Sequence, residues 1–433
     1  MGRAALSRRR FLTQCLAAIP TARASFAAAQ VNRERPPRES DEFRRRDERL
    51  TLSQIGETLR NRYPDLPSHF IFEYYPWYGV NPWRHWDADG RKPPAEIASS
   101  YMPALGPYDS RDTRVLEQHA KWITAAGVGA INLSWWGQGT YEDRAAPVVM
   151  DVMRAFGIKV TFHIEPYPSR AQTIVEDIKY LLRQYGERRR WDNFLLVRHA
   201  DGSAAPVMKL FASILPETST DCLGVTRPVA GYVPDDVWRD RTRTLKQELG
   251  SEFPKFMLLA DTLNIVRAGV SGFDGGVSAD PYFKLDRWDE VVRNFNAHDL
   301  PFVFAANAGF DGVPPPVIPI NDPCYRPARP EPAPDVDWNS ETSRQQEHDA
   351  SAQRIRESFD KAIRLQVATN SANLRRGFFL VYVNSFNEWH EGTQFEPTVS
   401  YASLSAAARA RYHDAAAGAY RLETLQSMMA QII

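Results

Sequence analysis

Apolar and polar positions follow two alternating periods along most of this chain. Short runs rich in apolar and β-branched residues are typical of buried strands, and the stretches between them repeat apolar residues at helical spacing. The predicted strands are His69–Tyr75, Gly129–Trp135, Lys159–Ile164, Pro206–Leu215, Lys255–Ala260, Ser271–Gly275, Phe302–Ala306 and a last run that begins at Phe379. The predicted helices are Arg111–Ala126, Ala145–Phe156, Ala171–Tyr185, Asp235–Leu249, Leu285–Phe295, Glu347–Ala368 and one from about Ser405 to Met429.

This order gives eight strands that alternate with helices. Such an alternation favours a parallel sheet, and eight units are the number that closes a barrel. The predicted fold class is therefore α/β, a (β/α)8 TIM barrel with long βα loops, over residues 67–433. Residues 30–66 are rich in charge and poor in apolar positions, so we predict a charged linker there, with one helix near Leu52–Arg62.

The first residues carry the pattern of an export signal. Arg8 and Arg9 precede a short apolar run that begins at Phe11, and small residues suited to cleavage follow that run. The run is too short to span a bilayer permanently. We therefore predict a signal peptide over residues 1–29, recognised by the twin-arginine export machinery, and a periplasmic or secreted mature protein.

Composition and charge narrow the class of partner. Hydrophobic residues make up 43% of the chain and charged residues 24%, as in a soluble globular protein. Residues 1–60 hold 13 Lys and Arg against 7 Asp and Glu, so the remainder of this formally neutral chain carries a net negative charge. A mildly acidic body argues against nucleic acid as a partner. The 11 tryptophans favour either aromatic platforms for sugars or a core rich in tryptophan.

Cysteine usage leaves the redox state open. Removal of the signal peptide would leave Cys222 and Cys324, which an oxidising compartment allows to pair, although two free thiols fit the sequence equally well. No spacing of cysteine and histidine resembles a zinc site, so we predict neither a metal site nor a cofactor. The proline-rich stretch 312–334 is interpreted as an ordered extended loop over the barrel mouth, with a disordered insertion as the alternative.

Unusual residues follow several of the predicted strands. The ends of strands one, two, three, six and eight carry Tyr74–Gly79 with Trp83–Asp87, Ser134–Gly139, His163–Tyr167, Gly272–Gly275 and Asn387–Gly392. In a parallel barrel these ends meet at one mouth, where catalytic groups gather. Aromatic rings stack on sugar faces, whereas a pair of carboxylates supplies the acid and the base that most glycosidases use. Glu388 and Glu391 are therefore the candidate catalytic pair.

The same motifs carry a resemblance to a known family. Those motifs are Tyr74–Gly79, Tyr108–Ser110, Ala126–Ala130, Ser134–Gly137, His163–Tyr167 and Asn384–Gly392. In this order they resemble glycoside hydrolase family 99, the family of endo-α-mannosidases and bacterial endo-α-1,2-mannanases. The resemblance covers about residues 70–400. The resemblance implies a (β/α)8 barrel enzyme that cleaves α-mannosidic bonds within a glycan chain. The cleavage retains the configuration at the anomeric carbon and requires no metal.

The resemblance also implies roles for individual residues. Glu388 corresponds to the base that deprotonates the substrate 2-hydroxyl, which then attacks C1 to form a 1,2-anhydro sugar, and Glu391 corresponds to the general acid/base. His163 and Glu165 correspond to residues that hold substrate hydroxyls, and Trp136 to an aromatic residue on the non-reducing side. The other predicted substrate contacts are Tyr74, Tyr75, Trp86, Tyr167, Asn387 and Trp389.

Two departures from the family keep other functions open. Residues 276–279 intervene before Tyr282, and the loop from Ala306 to Asp311 has an atypical sequence. The predicted substrate is α-mannan or a related oligosaccharide or polysaccharide. The alternatives are an endo-α-glucanase, another α-glycan hydrolase on the same barrel, and a non-catalytic glycan-binding protein. The presence of both Glu388 and Glu391 argues against a non-catalytic binding protein, because binding alone requires no acid/base pair.

Overall fold

The structure is a computed structural model that describes residues 50–188, 190–221, 223–279, 281, 283–313, 332–333 and 336–433. Its eight main strands are β1 Phe70–Tyr74, β2 Ala130–Trp135, β3 Lys159–Ile164, β4 Ala204–Leu210, β5 Met257–Asp261, β6 Gly275–Ser278, β7 Phe302–Asn307 and β8 Val381–Asn384. Each strand pairs in parallel with its neighbour, and β8 pairs with β1, so the sheet closes on itself. The predicted (β/α)8 TIM barrel is confirmed.

Both faces of the barrel strands are buried, which explains why they read as apolar runs. On β1, Phe70 and Phe72 face the surrounding helices and Ile71 faces the barrel interior. The interior changes character along the barrel axis, because β1 carries Ile71 near its amino end and buried Glu73 near its carboxyl end. On β4, buried Lys209 likewise follows Val207. The apolar layer therefore closes the floor, and the polar layer lies towards the mouth.

Helices surround this barrel and cover its outer face. They are α1 Leu52–Arg62, α2 Thr113–Ala125, α3 Tyr141–Ala155, α4 Arg170–Leu181, α5 Asp235–Leu249, α6 Ile265–Val270, α7 Trp288–Ala297, α8 Glu341–Val367, α9 Ala372–Arg376, α10 Ala406–Arg409 and α11 Tyr420–Met429. Several begin at a residue that caps the free backbone N–H groups, as Asp112 does for α2 and Thr140 for α3. Within the described ranges, none of the helices combines the length and apolar character needed to cross a bilayer.

Shorter elements lie in the connections. Two-stranded pairings join Gly79–Val80 to Trp83–Arg84 and Thr218–Thr220 to Thr226–Pro228, and Leu196–Arg198 pairs antiparallel with β4. The 3-10 turns are Leu66–His69, Ala88–Gly90, Leu285–Arg287 and Tyr401–Ser403, and a π-helical turn, Leu182–Glu187, extends α4. The two-stranded pairings and the turns Ala88–Gly90, Leu285–Arg287 and Tyr401–Ser403 belong to the long βα loops that the sequence predicted. Three further elements, Leu66–His69, Leu182–Glu187 and Leu196–Arg198, lie in connections that lead into a strand.

The first helix corrects the predicted domain boundary. A helix over Leu52–Arg62 is confirmed, but it packs into the main core through Leu52, Ile55 and Leu59. Arg60 also donates to the backbone carbonyl of Ile432. The folded body therefore includes residues that we had placed in the 30–66 linker. Composition misled the prediction because the charged residues of α1 occupy its outer face, while three apolar side chains suffice for the inner one.

Three other element predictions need correction. The sixth strand is Gly275–Ser278, so Gly272–Phe273–Asp274 precedes it and lies at the floor of the barrel rather than the mouth; there Asp274 Oδ2 accepts from Leu258 N at 2.9 Å. The short helix α6 was missed. The predicted C-terminal helix is two helices, α10 and α11, separated by an irregular segment. Several predictions concern residues outside the described ranges: Cys222 and Cys324, the signal peptide, residues 30–49 of the linker, and residues 314–331 and 334 of the proline-rich loop.

A cavity of about 1080 Å³ lies outside the barrel between α1, α7 and α8. Its lining mixes leucine and valine side chains with the ion pairs Lys361–Asp289 and Arg364–Asp360. Phe378 and Phe379, which precede β8, also contribute to the lining. The cavity is therefore at the amino-terminal ends of the strands, away from the end that carries the candidate catalytic pair.

Candidate active site

The candidate catalytic pair lies directly beyond the carboxyl end of β8. Glu388 and Glu391 are 2% and 8% exposed, so both carboxyl groups are largely withdrawn from bulk water. The segments after β1, β2 and β3 leave the barrel at the same end, because all eight strands are parallel. The predicted convergence of strands one, two, three and eight at one mouth is therefore present in the fold.

Glu388 is held by its own loop and by the loop after β1. Its backbone N–H donates to Ser385 Oγ at 2.8 Å, and its Oε1 accepts from His390 N at 3.2 Å. The next residue, Trp389, donates its backbone N–H to the Tyr78 hydroxyl at 3.1 Å. These bonds fix the backbone on both sides of Glu388 as well as one of its carboxylate oxygens.

A second set of bonds ties the same segment to strand one. Asn387 bonds both backbone groups of Tyr75, accepting from its N–H at 2.8 Å and donating to its carbonyl at 3.1 Å. The Tyr108 hydroxyl accepts from Trp389 Nε1 at 3.1 Å and donates to Glu396 Oε2 at 2.7 Å. Burial, and then the nearby Glu396 carboxylate, raise the pKa of Tyr108 well above its usual value, so this hydroxyl stays protonated and can donate.

Two histidines lie beside Glu388. His390 Nδ1 is 3.5 Å from Glu388 Oε1, and its Nε2 bonds the backbone carbonyl of His85 at 2.7 Å. The His85 ring stacks on Trp77 with centroids 4.7 Å apart. Burial, followed by the charges of His390 and Arg84, holds the pKa of His85 well below its usual value, so His85 is neutral at physiological pH.

Glu391 is held from the other side of the mouth. Its backbone carbonyl accepts from Asp311 N at 3.0 Å, and His390 O accepts from Val313 N at the same distance. The loop after β7 thus pairs with the loop after β8. Gly392 makes this approach possible, because it adopts φ 63° and a Cβ there would lie 2.3 Å from Asp311 O.

His163 and Glu165 lie in a buried polar network at the end of β3. His163 Nδ1 faces Glu73 Oε1 and its Nε2 faces Glu165 Oε1, each at 3.9 Å. Ser134 Oγ donates to Glu165 Oε1 at 2.8 Å, and Lys209 Nζ forms an ion pair with Glu73. This network places two carboxylates and a histidine below the mouth and partly balances their charge, an arrangement suited to holding hydroxyl groups.

Aromatic side chains form the wall of the site near strands one and two. Trp136 is half-buried and packs against a cluster that comprises Tyr75, Trp77, Tyr78, Trp86, Ile97, Tyr101, Tyr108, Trp389, Leu404 and Tyr412. Tyr167 is also half-buried, and its hydroxyl donates to Asp177 Oδ2 at 2.5 Å. Trp136 and Tyr167 therefore keep part of their rings accessible, as a substrate contact requires.

Three predicted substrate contacts are placed differently by the structure. Tyr74 points outward into the layer between barrel and helices, where its hydroxyl bonds His119 Nδ1 at 2.8 Å and its ring stacks on Phe386. Trp86 and Trp389 are fully buried in the aromatic cluster and lie behind Tyr78 and Tyr108. The strand period explains Tyr74, because alternate residues of β1 face opposite sides. We therefore assign these three residues to packing rather than to direct contact.

The structure also adds residues that the sequence analysis missed. Glu73 and Lys209 were visible as single charges inside apolar strands, a signal for a functional or paired position. Tyr108 was quoted only as part of a motif. Asp311 and Arg421 reach the site through folding, from the loop after β7 and from α11, and neither has a local sequence signal.

Comparison with known proteins supports one family. The family model for glycosyl hydrolase family 99 matches residues 66–194. A zebrafish (Danio rerio) glycoprotein endo-alpha-1,2-mannosidase-like protein is 27% identical over 378 residues, covering 77% of this chain and 73% of that protein. The mouse (Mus musculus) glycoprotein endo-alpha-1,2-mannosidase is 27% identical over 388 residues, covering 80% of this chain and 71% of the relative.

A solved structure agrees with the fold. The GH99 endo-alpha-mannosidase from Bacteroides thetaiotaomicron superposes with a TM-score of 0.58 at 21% identity, covering 84% of this chain and 97% of that protein. The family model and the curated relatives point to the same family, and the solved structure shows the same fold. The chain is a glycoside hydrolase, and these comparisons support its assignment to family 99.

Proposed function

We propose that this protein is a retaining, endo-acting α-mannosidase that cleaves mannan-like glycans through a 1,2-anhydro sugar. The observation that carries the proposal is the pair of buried carboxyl groups, Glu388 and Glu391, at the carboxyl end of β8. The mouse relative is named a glycoprotein endo-alpha-1,2-mannosidase and the zebrafish relative an endo-alpha-1,2-mannosidase-like protein, which supports mannose as the sugar. The aromatic wall around Trp136 supports a carbohydrate substrate.

The first step breaks the glycosidic bond. The Glu388 carboxylate takes the proton of the substrate 2-hydroxyl, and O2 attacks C1 from the face opposite the leaving group. The bond from C1 to the leaving oxygen breaks, and Glu391 gives its proton to that oxygen. The products of this step are a 1,2-anhydro sugar, a protonated Glu388 and an ionised Glu391.

The second step restores the enzyme. The Glu391 carboxylate takes a proton from water, whose oxygen attacks C1 while the bond between C1 and O2 breaks. O2 recovers its proton from Glu388, so the sum of both steps is hydrolysis with two inversions at C1, which is retention. Glu391 is the more exposed of the two carboxyl groups, and this suits the residue that meets both leaving group and water.

A substrate panel tests the proposed activity. Purified protein is incubated with α-mannan and with α-glucan, and released oligosaccharides are measured. Internal cleavage of mannan alone is expected, because the 2-hydroxyl of an α-glucoside is on the same face as the leaving group and cannot attack from behind. Release from glucan favours the endo-α-glucanase alternative. Binding without release from any α-glycan favours a non-catalytic glycan-binding protein.

A modified substrate tests the proposed path. An α-mannoside whose 2-hydroxyl is replaced by hydrogen lacks the internal nucleophile, so the wild-type enzyme should not turn it over. The matched control is a 6-deoxy mannoside, which retains the 2-hydroxyl. Rapid cleavage of the 2-deoxy substrate would rule out the 1,2-anhydro path and leave a covalent glycosyl–enzyme as the alternative.

We also propose that the protein acts in the periplasm or outside the cell, after export by the twin-arginine route. The motif around Arg8 and Arg9 supports this location. Replacement of both arginines by lysine should retain the protein in the cytoplasm. A single substitution at Arg3, outside the motif, is the control. Normal export of the double variant would contradict the proposal.

A further inference from the structure

A buried arginine from α11 reaches the backbone that follows Glu391. Arg421 Nη1 donates to the carbonyl of Gly392 at 2.7 Å and to that of Gln394 at 2.9 Å. Its guanidinium lies over the Tyr101 ring, 5.0 Å from the centroid. A guanidinium is permanently charged and has donors in a rigid fork, so one side chain can hold two carbonyls at once. Arg421 therefore fixes the exit of the loop that carries Glu391.

The loop after β7 holds Glu391 itself. Besides the bond from Asp311 N to Glu391 O, the Asp311 carboxylate bonds His413 Nδ1 through Oδ2 at 2.6 Å. The His413 ring stacks on Trp338, with centroids 3.8 Å apart and planes 7° apart. Asp311 is 4% exposed, so its carboxylate is kept in place by this partner. The side chain of Asp311 thereby anchors the backbone group that bonds Glu391.

We propose that Asp311 and Arg421 are positioning residues that hold Glu391 in the geometry of proton transfer, without touching the substrate. The inference rests on the proposed function, in which Glu391 is the general acid/base. It concerns Glu391 because Asp311 bonds Glu391 and Arg421 bonds the residues after it. The bonds described for Glu388 itself are to Ser385 Oγ and from His390 N, and Tyr78 bonds the neighbouring Trp389. A displacement of about 1 Å in a reacting group can cost about 100-fold in rate, so loss of either anchor should be measurable.

The first test needs no substrate. Hydrogen–deuterium exchange is measured for peptides that span residues 388–394 in the wild type, Arg421→Lys and Asp311→Ala. Lysine keeps the charge but lacks the fork, and alanine keeps the Asp311 N–H but removes its anchor. Both variants should exchange faster in this segment. Unchanged exchange there in both variants would overturn the proposal, whatever the activity of the protein.

The second test separates positioning from a general loss of structure. With a sugar leaving group, kcat/KM should fall by about 10- to 100-fold in both variants, because the leaving oxygen then depends on Glu391 for its proton. With an activated aryl leaving group the loss should be about threefold or less. Equal losses on both substrates would overturn the proposal, and so would no loss on either.

Matched controls complete the design. Arg267 is a half-buried arginine of α6 whose described contacts include Leu215 O and Asp235, outside the anchors of Glu391, so Arg267→Lys should leave both readouts unchanged. Asp311→Asn keeps an acceptor for His413 and should recover most of the loss seen with alanine. If circular dichroism shows that Arg421→Lys does not fold, the comparison of Asp311→Ala with Asp311→Asn tests the proposal instead.

The failure of the proposed function is distinguishable from the failure of this inference. If Glu391→Gln itself shows no dependence on the leaving group, the assigned role of Glu391 is wrong. The exchange measurement and a double-mutant cycle then still decide the inference. In that cycle the effect of Arg421→Lys should vanish in the Glu391→Gln background and persist in the Glu388→Gln background. The reverse pattern contradicts positioning through Glu391.

Discussion

The two glutamates of the site are only three residues apart, yet different parts of the molecule hold them. Glu388 lies on the side of the aromatic loop after β1, whose Tyr78 and Tyr108 bond the residues beside it. Glu391 lies on the side of the loop after β7 and of α11. Asp311 N–H bonds its backbone carbonyl, and Arg421 bonds the carbonyls of Gly392 and Gln394 that follow it. The first support is aromatic and close in the chain to the barrel's first strand, and the second is ionic and assembled from distant segments.

This difference teaches that the two proposed catalytic roles should be open to separate weakening. A change in the aromatic support should impair attack by the 2-hydroxyl, whereas a change in the ionic support should impair protonation of the leaving group. Comparing rates with a sugar leaving group and with an activated aryl leaving group therefore shows which of the two supports a substitution has weakened.

The largest effect should come from the glutamates themselves. Glu391→Gln should lower kcat/KM for a sugar leaving group by about 10²–10⁴-fold, with a much smaller loss for an activated aryl leaving group, because the aryl oxygen needs little protonation. Glu388→Gln should be slow with both leaving groups, because the attack of the 2-hydroxyl on C1 is impaired. Rates on both substrates, with circular dichroism to monitor folding, check this. An exchange of the two sensitivities would reverse the assigned roles.

Tyr108→Phe tests the aromatic support and should have the next largest effect. It leaves Trp389 Nε1–H without its partner in a buried site, and such a loss costs about 1–3 kcal/mol. Because Trp389 adjoins Glu388, we expect kcat/KM to fall about tenfold with either leaving group. Tyr412→Phe is the control, since the described partners of that buried hydroxyl are the Ile97 N–H and the Arg411 side chain, neither of which belongs to the loop of Glu388. A loss of kcat/KM only with the sugar leaving group would contradict the assignment of the aromatic support to Glu388.

Trp136→Ala should affect binding more than chemistry. The half-buried indole should stack on a sugar ring, an interaction of about 1 kcal/mol, so the Kd for a long oligosaccharide should rise about fivefold. Calorimetry in the Glu391→Gln background measures this without turnover. Trp122→Ala on α2, also half-buried, is the control. Unchanged affinity together with a large drop in Tm would mean that Trp136 serves packing.

Asp414→Asn should have the smallest effect on activity, and it probes the junction of the two supports. Asp414 Oδ2 accepts from Met102 N at 3.1 Å, which ties the long loop after β1 to the segment before α11. Burial raises the pKa of Asp414 to about 8, above the value near 4 of an unfolded aspartate. The folded protein thus holds a proton that the unfolded chain releases, and stability is lost as pH rises from about 4 to about 8.

Asparagine removes this titration. The wild type should therefore lose Tm between pH 5 and pH 8 by an amount that the variant does not, corresponding to a few kcal/mol at about 1.4 kcal/mol per pH unit. Thermal unfolding measured across this range checks the sign. Asp286→Asn, at an exposed carboxyl group, should keep the wild-type slope. A parallel slope in Asp414→Asn would mean that other groups cause the pH dependence.

Much of the barrel could be predicted from local pattern. β3 and α5 match their predicted bounds, because an apolar run between turn residues and an amphipathic stretch each carry their own signal. Strand β6 was misplaced because its residues, Gly275–Ser278, have little apolar character of their own and are buried by Phe295 and Phe302. The position of β6 depends on its packing against distant residues, and this packing cannot be deduced from the local pattern of a single sequence.

The candidate site divides in the same way. Glu388 and Glu391 stood out because acidic residues directly after a buried strand are unusual. Tyr74 was misassigned because its direction depends on the strand register, which the motif does not reveal. Asp311 and Arg421 could not be found, because they bond backbone carbonyls, Asp311 that of Glu391 and Arg421 those of Gly392 and Gln394. Such bonds leave no pattern in the side chains.

The contact between α1 and Ile432 has a consequence for the order of folding. Arg60 and the carbonyl that it bonds are 372 positions apart in the chain, and β1 likewise completes its pairing only with β8. During synthesis, the first helix and strand therefore emerge long before the residues that bury them. Their apolar side chains therefore stay exposed until most of the chain has been synthesised. We expect the nascent chain to depend on chaperones more than the folded enzyme does.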